Sequence, residues 1–190
     1  MARIDELKER LARAADIDDT LDRRLWVLAI ITEHLAPKGV RPILVGGAAV
    51  EFYTAGGYAT LDIDVIADVR ILGPAMLELG FEKAGRHWIR NDIDIALEAP
   101  SEELDVDPSR IVEMEMWGSK IYIIGVEDLI IDRLNAYVHW KSDEDGRWAA
   151  HLIVENRDAI DWNYLQDRAE QERCVDGLRR ILEKNPEARR

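Results

Sequence analysis

The spacing of apolar and polar positions changes several times along the chain, and each change predicts an element. Residues 3–14 set Ile4, Leu7 and Leu11 on one stripe among charged neighbours, the pattern of an amphipathic helix. Residues 16–20 supply helix N-caps. Residues 21–35 then continue at helical spacing, with Leu25, Leu28, Ala29 and Ile31 or Thr32 facing inward. Pro37, Lys38 and Gly39 end that helix, and a short strand over residues 42–45 runs into Gly46 and Gly47. A helix-forming run, residues 48–53, follows and is closed by Gly56 and Gly57. The period then drops to two. Leu61, Ile63 and Val65 alternate with Asp62 and Asp64, as in a half-buried strand with both aspartates on one face.

Residues 69–72 read as a connection to a short helix over 74–79, stopped by Gly80. Residues 81–84 and 86–90 read as a hairpin about Gly85. Residues 91–98 form a second alternating strand, with Ile93, Ile95 and Leu97 on one face and Asp92, Asp94 and Ala96 on the other. The acidic, proline-containing stretch 99–108 reads as a loop, and residues 110–117 and 120–124 as strands about a turn at Gly118-Ser119. From Gly125 the pattern is helical, with helices expected from residue 126 to about 137, over 147–155 and over 162–183. The shift divides the chain into a strand-rich part with N-terminal helices, 1–125, and a helical part, 126–190. The fold class expected is α/β (α+β), a mixed sheet carrying the aspartates with helices packed on one side.

Composition narrows the chemistry. The 190 residues suffice for one domain with a core, or a small domain and a helical appendage. The net charge of −13 disfavours sequence-independent binding to long nucleic acid but leaves room for a nucleotide held by a few local cations. One cysteine, Cys174, excludes an intramolecular disulfide and a cysteine zinc site, and the four histidines show no ligand spacing. No run is long enough to span a membrane and no secretory signal opens the chain, so a cytoplasmic location is expected.

The candidate chemistry lies in residues 43–68. Asp62 and Asp64 repel each other unless cations sit between them, and such hard oxygen donors suit Mg²⁺ or Mn²⁺. Gly46 and Gly47 join strand to helix without side chains, so a phosphate can approach backbone N–H groups there. Thr60 is placed to hydrogen-bond a phosphate or a nucleotide sugar, and Arg86, Arg90, Arg133 and Lys141 are the candidate cations for a triphosphate.

The order strand, Gly-Gly, helix, Thr-x-Asp-x-Asp resembles the nucleotidyltransferases of the DNA polymerase β superfamily, in particular small prokaryotic members that include abortive-infection toxins. The resemblance implies a palm fold. Asp62 and Asp64 would bind two divalent ions, and a nucleoside triphosphate would donate its monophosphate to a hydroxyl acceptor on a protein, a small molecule or an RNA end. It also implies a third carboxylate on an adjacent strand, assigned here to Asp94, with Asp92 on the same face as runner-up. The family's Glu-Asp-Leu-x-x-x-Lys-Leu pattern is similar to residues 127–134, with Arg133 in the lysine position. The Lys-Asp pair that often follows in toxin-like members has no counterpart in residues 142–146. The alternative is a non-catalytic module on the same fold, a partner in a toxin–antitoxin pair or a self-associating protein.

Overall fold

The computed structural model describes residues 2–60, 62–101 and 106–189; Leu61 of the expected alternation and residues 102–105 of the expected loop lie outside them. The chain divides into two compact units. One comprises Met1–Glu51 and Tyr58–Ile124, the other Phe52–Gly57 and Gly125–Arg190.

In the first unit, α1 (Ala2–Ala12) buries Leu7 and Leu11, two residues of its predicted stripe. The helix α2 (Thr20–Leu35) is capped by Asp19, whose side chain accepts from the Asp22 N–H. Leu25, Val27, Leu28, Ala29, Ile30 and Ile31 are all buried, so α2 is a core helix rather than a one-sided one. Next come β1 (Ile43–Val45) and α3 (Gly46–Tyr53), which ends in the second unit. The strand β2 (Asp62–Ile66) leads to α4 (Val69–Glu78), then to β3 (Glu82–Ala84), β4 (His87–Arg90) and β5 (Ile95–Ser101), and finally to β6 (Val112–Met116) and β7 (Ser119–Ile123).

These strands form one mixed sheet in the order β3-β4-β5-β2-β1-β7-β6. At its centre β1 pairs antiparallel with β2 and parallel with β7, where Ile43 meets Tyr122 and Leu44 meets Ile123. β2 pairs parallel with β5. The turn between β6 and β7 is Trp117-Gly118, both with positive φ, as a two-residue hairpin whose twist matches its strands requires.

Three local expectations change. Residues 69–72 are the first turn of α4, because the Asp68 carboxylate accepts from the Arg70 N–H and starts the helix early. Residues 91–94 are not strand. Asn91–Ile93 form a 3₁₀ turn closed by Asp94 in a left-handed conformation, and β5 begins at Ile95. That strand runs on to Ser101 rather than giving way to a loop at residue 99.

The second unit holds α5 (Val126–His139), α6 (Asp143–Asn156), α7 (Trp162–Gln171) and α8 (Val175–Lys184). α6 starts four residues before its predicted position because Ser142 accepts from the Asp145 N–H. The single long helix expected over 162–183 is two. Arg173 is left-handed, and the Cys174 N–H turns back to the Ala169 carbonyl. Cys174 itself is buried. Two buried acids pin this unit together: Glu127 accepts from the Asp161 N–H, and Asp128 accepts from the Tyr164 hydroxyl. The Glu-Asp of the family pattern therefore does structural work between α5 and α7. Among the described residues no helix is long and apolar enough to cross a membrane.

Candidate functional site: a carboxylate face on the central strands

β2 brings Asp62 and Asp64 out on one face, both half-buried. Its partners decide what surrounds them. Asp64 lies opposite Val45 of β1 on one side and opposite Glu98 of β5 on the other, while Asp62 lies opposite Ala96. Parallel strands in register set side chains of one phase beside each other. The carboxylate that meets Asp64 is thus Glu98.

Asp94, the residue chosen from sequence, does not reach this face. It is exposed, in the left-handed turn one residue before β5 begins. Asp92 is exposed too and is taken up by Arg90, which holds its carboxyl below the usual carboxylate range. The alternation in residues 91–98 placed Asp92, Asp94, Ala96 and Glu98 in one phase. Phase gives the face of a strand; only the pairing register shows which residue arrives beside Asp64.

The electrostatics show the crowding directly. Burial, then the Glu98 charge, pushes the Asp64 carboxyl up to about 6; Asp62 and a hydrogen bond shared with Glu98 add to the rise. The Gly47 N–H donates to Asp64 and opposes it. Glu98 has two neighbours that can donate to it: Arg86, at 2.7 Å and 78% exposed, and the His87 ring at 3.0 Å. A carboxyl whose folded pKa exceeds its unfolded value binds the extra proton in the folded state. Stability from Asp64 is therefore present at pH 4 and is lost as pH rises through 6. Asp64→Asn accordingly raises the stability of metal-free protein at pH 7.5 by about 1 kcal/mol, allowing for partial solvation of the carboxyl. The gain vanishes at pH 4, and urea denaturation at the two pH values measures it.

The glycine pair serves this face sterically. Gly46 has φ +61°, and a Cβ there would fall 2.9 Å from Asp64 Cβ and Cγ and nearer still to Oδ2. A Cβ on Gly47 would fall 2.8 Å from the Tyr58 ring and 2.9 Å from the Thr60 side chain. The Gly47 N–H, expected to face a phosphate, is given to Asp64 instead. Thr60 stands against Gly47, and its carbonyl accepts from Arg24.

The predicted cations separate. Arg86 lies at the carboxylates. Arg90 is occupied by Asp92 and the Leu79 carbonyl. Arg133 belongs to the helical unit and is bound there by Asp132 and Asp145. Lys141 is an exposed residue of that unit with positive φ.

Among the described residues no group of three or more His, Cys, Asp or Glu side chains is placed to hold a metal ion. An open group of carboxylates is the donor set that Mg²⁺ takes when it keeps its waters and adds substrate phosphate oxygens. A cation at the same place would relieve the mutual repulsion of Asp64, Glu98 and Asp62. The chemistry of one or two of these carboxylates, completed by waters and phosphate oxygens, suits a hard divalent ion.

Comparison with known proteins agrees with this geometry at the level of fold. A crystal structure of an antigenic nucleotidyltransferase-like protein from Paracoccidioides brasiliensis superposes with a TM-score of 0.55 at 16% identity, covering 82% of this chain and 93% of that one. A search of curated proteins gives no match. The family model described as "Nucleotidyltransferase of unknown function (DUF6036)" matches residues 27–181, well over half of the sequence. The chain belongs to that nucleotidyltransferase family.

Proposed function

We propose that the protein is a metal-dependent nucleotidyltransferase that moves a nucleoside monophosphate from a nucleoside triphosphate to a hydroxyl acceptor. The observation that carries this reading is the register of β2 and β5, which sets Glu98 beside Asp64 on the face that also holds Asp62. Asp62, Asp64 and Glu98 would hold Mg²⁺ or Mn²⁺. When bound, such ions supply charge neutralisation for the triphosphate and lower the pKa of an acceptor hydroxyl.

The chain's own residues contribute the rest. Gly46 leaves the volume in which the Asp64 carboxylate stands, and the Gly47 N–H fixes its direction. Arg86, largely exposed beside Glu98, is the cation of the sheet unit best placed to meet a phosphate entering this face. Thr60, at the entrance to β2, offers a hydroxyl to a phosphate or sugar.

The test uses each α-labelled nucleoside triphosphate with Mg²⁺ or Mn²⁺ in a cell extract. Wild type transfers label, and Asp62→Asn transfers none. The size of the labelled species gives the acceptor class. Equal labelling by wild type and variant excludes the mechanism. Absence of label with every nucleotide favours a binding module on the same fold.

A further inference from the structure

Among the described residues, Asp62 pairs with Ala96 of β5, and β1 pairs with β2 from Asp64 to Ile66. A buried ion pair reaches the chain just before β2. Arg24 of α2 is 4% exposed and sits among the apolar residues of a buried helix. Its Nη2 donates to the carboxylate of Glu51 on α3, itself 5% exposed. Its Nη1 donates at 2.6 Å to the main-chain carbonyl of Thr60. Thr60 lies two residues before Asp62, and its side chain rests against Gly47.

A buried Arg–Glu pair is a poor device for stability alone, because desolvation of both charges offsets most of their attraction, and an apolar pair of similar volume often does as well. What the guanidinium adds is a planar fork with donors at fixed angles, which an apolar pair cannot supply. Here one prong takes a carboxylate and another a backbone carbonyl, while Nε is buried with no hydrogen-bond partner among the described residues. Part of the group's bonding capacity is thus forgone while the grip on Thr60 is kept.

We propose that Arg24 is a positioning residue for the carboxylate face: clamped by Glu51, it fixes the Thr60 peptide and through it the place of Asp62. The inference rests on the metal-dependent reading above, since it assigns Asp62 to an ion. Arg24 touches neither ion nor nucleotide. Its effect is read in the affinity of the face for a cation, without reference to turnover.

The experiment titrates Mn²⁺ into the full chain, following free Mn²⁺ by electron paramagnetic resonance, with far-UV circular dichroism as a check of fold. Two double variants remove the grip on Thr60 without leaving a lone buried charge: Arg24→Met with Glu51→Leu, and Arg24→Gln with Glu51→Gln. Each is expected to fold and to bind Mn²⁺ about tenfold more weakly than wild type. Asp62→Asn serves as the reference for loss of a direct ligand. Wild-type affinity in either folded double variant overturns the assignment, and so does unfolding of both, which makes the pair a stability element. No Mn²⁺ binding by the wild type overturns the metal-dependent reading and the inference together. Binding that is normal in wild type, lost in Asp62→Asn and unchanged in the double variants overturns the inference alone.

Discussion

Glu98→Gln is expected to lower the proposed metal-dependent nucleotidyl transfer by roughly a hundredfold or more, and Asp94→Asn to leave it within about a factor of two. The two residues lie four apart in one sequence phase, yet only Glu98 has a partner across the sheet at Asp64. Gln keeps the shape and the bond to Asp64 but removes the charge that a divalent ion would share. Stability moves the other way. Burial and the Glu98 charge are the two largest causes of the raised Asp64 pKa, so removing that charge lets Asp64 ionise more readily and relieves the metal-free protein. A variant with lost transfer and an unchanged or raised melting temperature locates the defect in chemistry. Transfer by Glu98→Gln equal to wild type would remove β5 from the mechanism.

Gly46→Ala destabilises the protein by about 2–4 kcal/mol and dislodges Asp64. Two penalties combine. An alanine must take the left-handed conformation at φ +61°, and its Cβ must occupy the space of the Asp64 carboxylate. Gly39→Ala separates the two, since Gly39 also has positive φ, +73°, but nothing lies within 4 Å of a Cβ there. It costs only the backbone penalty, about 1 kcal/mol. Urea denaturation of the pair gives the difference, which is the steric share. Equal losses in both would mean that Asp64 moves aside freely, and the close fit of glycine and aspartate would then carry no constraint.

Much of this was legible in residue order. Caps and stops mark α2, and the period-two run marks β2 with its aspartates on one face. The glycine pair marks a close approach, although the approaching group in the structure is the protein's own Asp64. What was hidden depended on pairing. The alternation of residues 91–98 is compatible with any register, so it does not show that Glu98, four residues after Asp94, is the one opposite Asp64. The left-handed turn at Asp94 has no glycine to announce it. Arg24 follows Arg23 at the start of a helix, where a charged residue reads as solvent-facing; only the arrival of α3 and of Thr60 makes it a core residue. The break between α7 and α8 falls at Glu172-Arg173-Cys174, which contains no helix breaker. The buried Asp128 and Tyr164 show that a polar residue in a recognisable pattern can be spent on joining helices.

The pairing of β1 with β7 sets a timetable for biosynthesis. Ile43 finds Tyr122 roughly eighty residues later, so this interior strand leaves the ribosome long before one of its two neighbours exists. Until β7 has been made, the nascent chain carries an apolar strand with one edge open, a template for the wrong partner. Fast synthesis between residues 66 and 119 would shorten that interval, and a holdase at that stage would cover the edge. The acidic face stays incomplete until Glu98 has joined β2, so an emerging chain has no finished carboxylate cluster before β5 has been made.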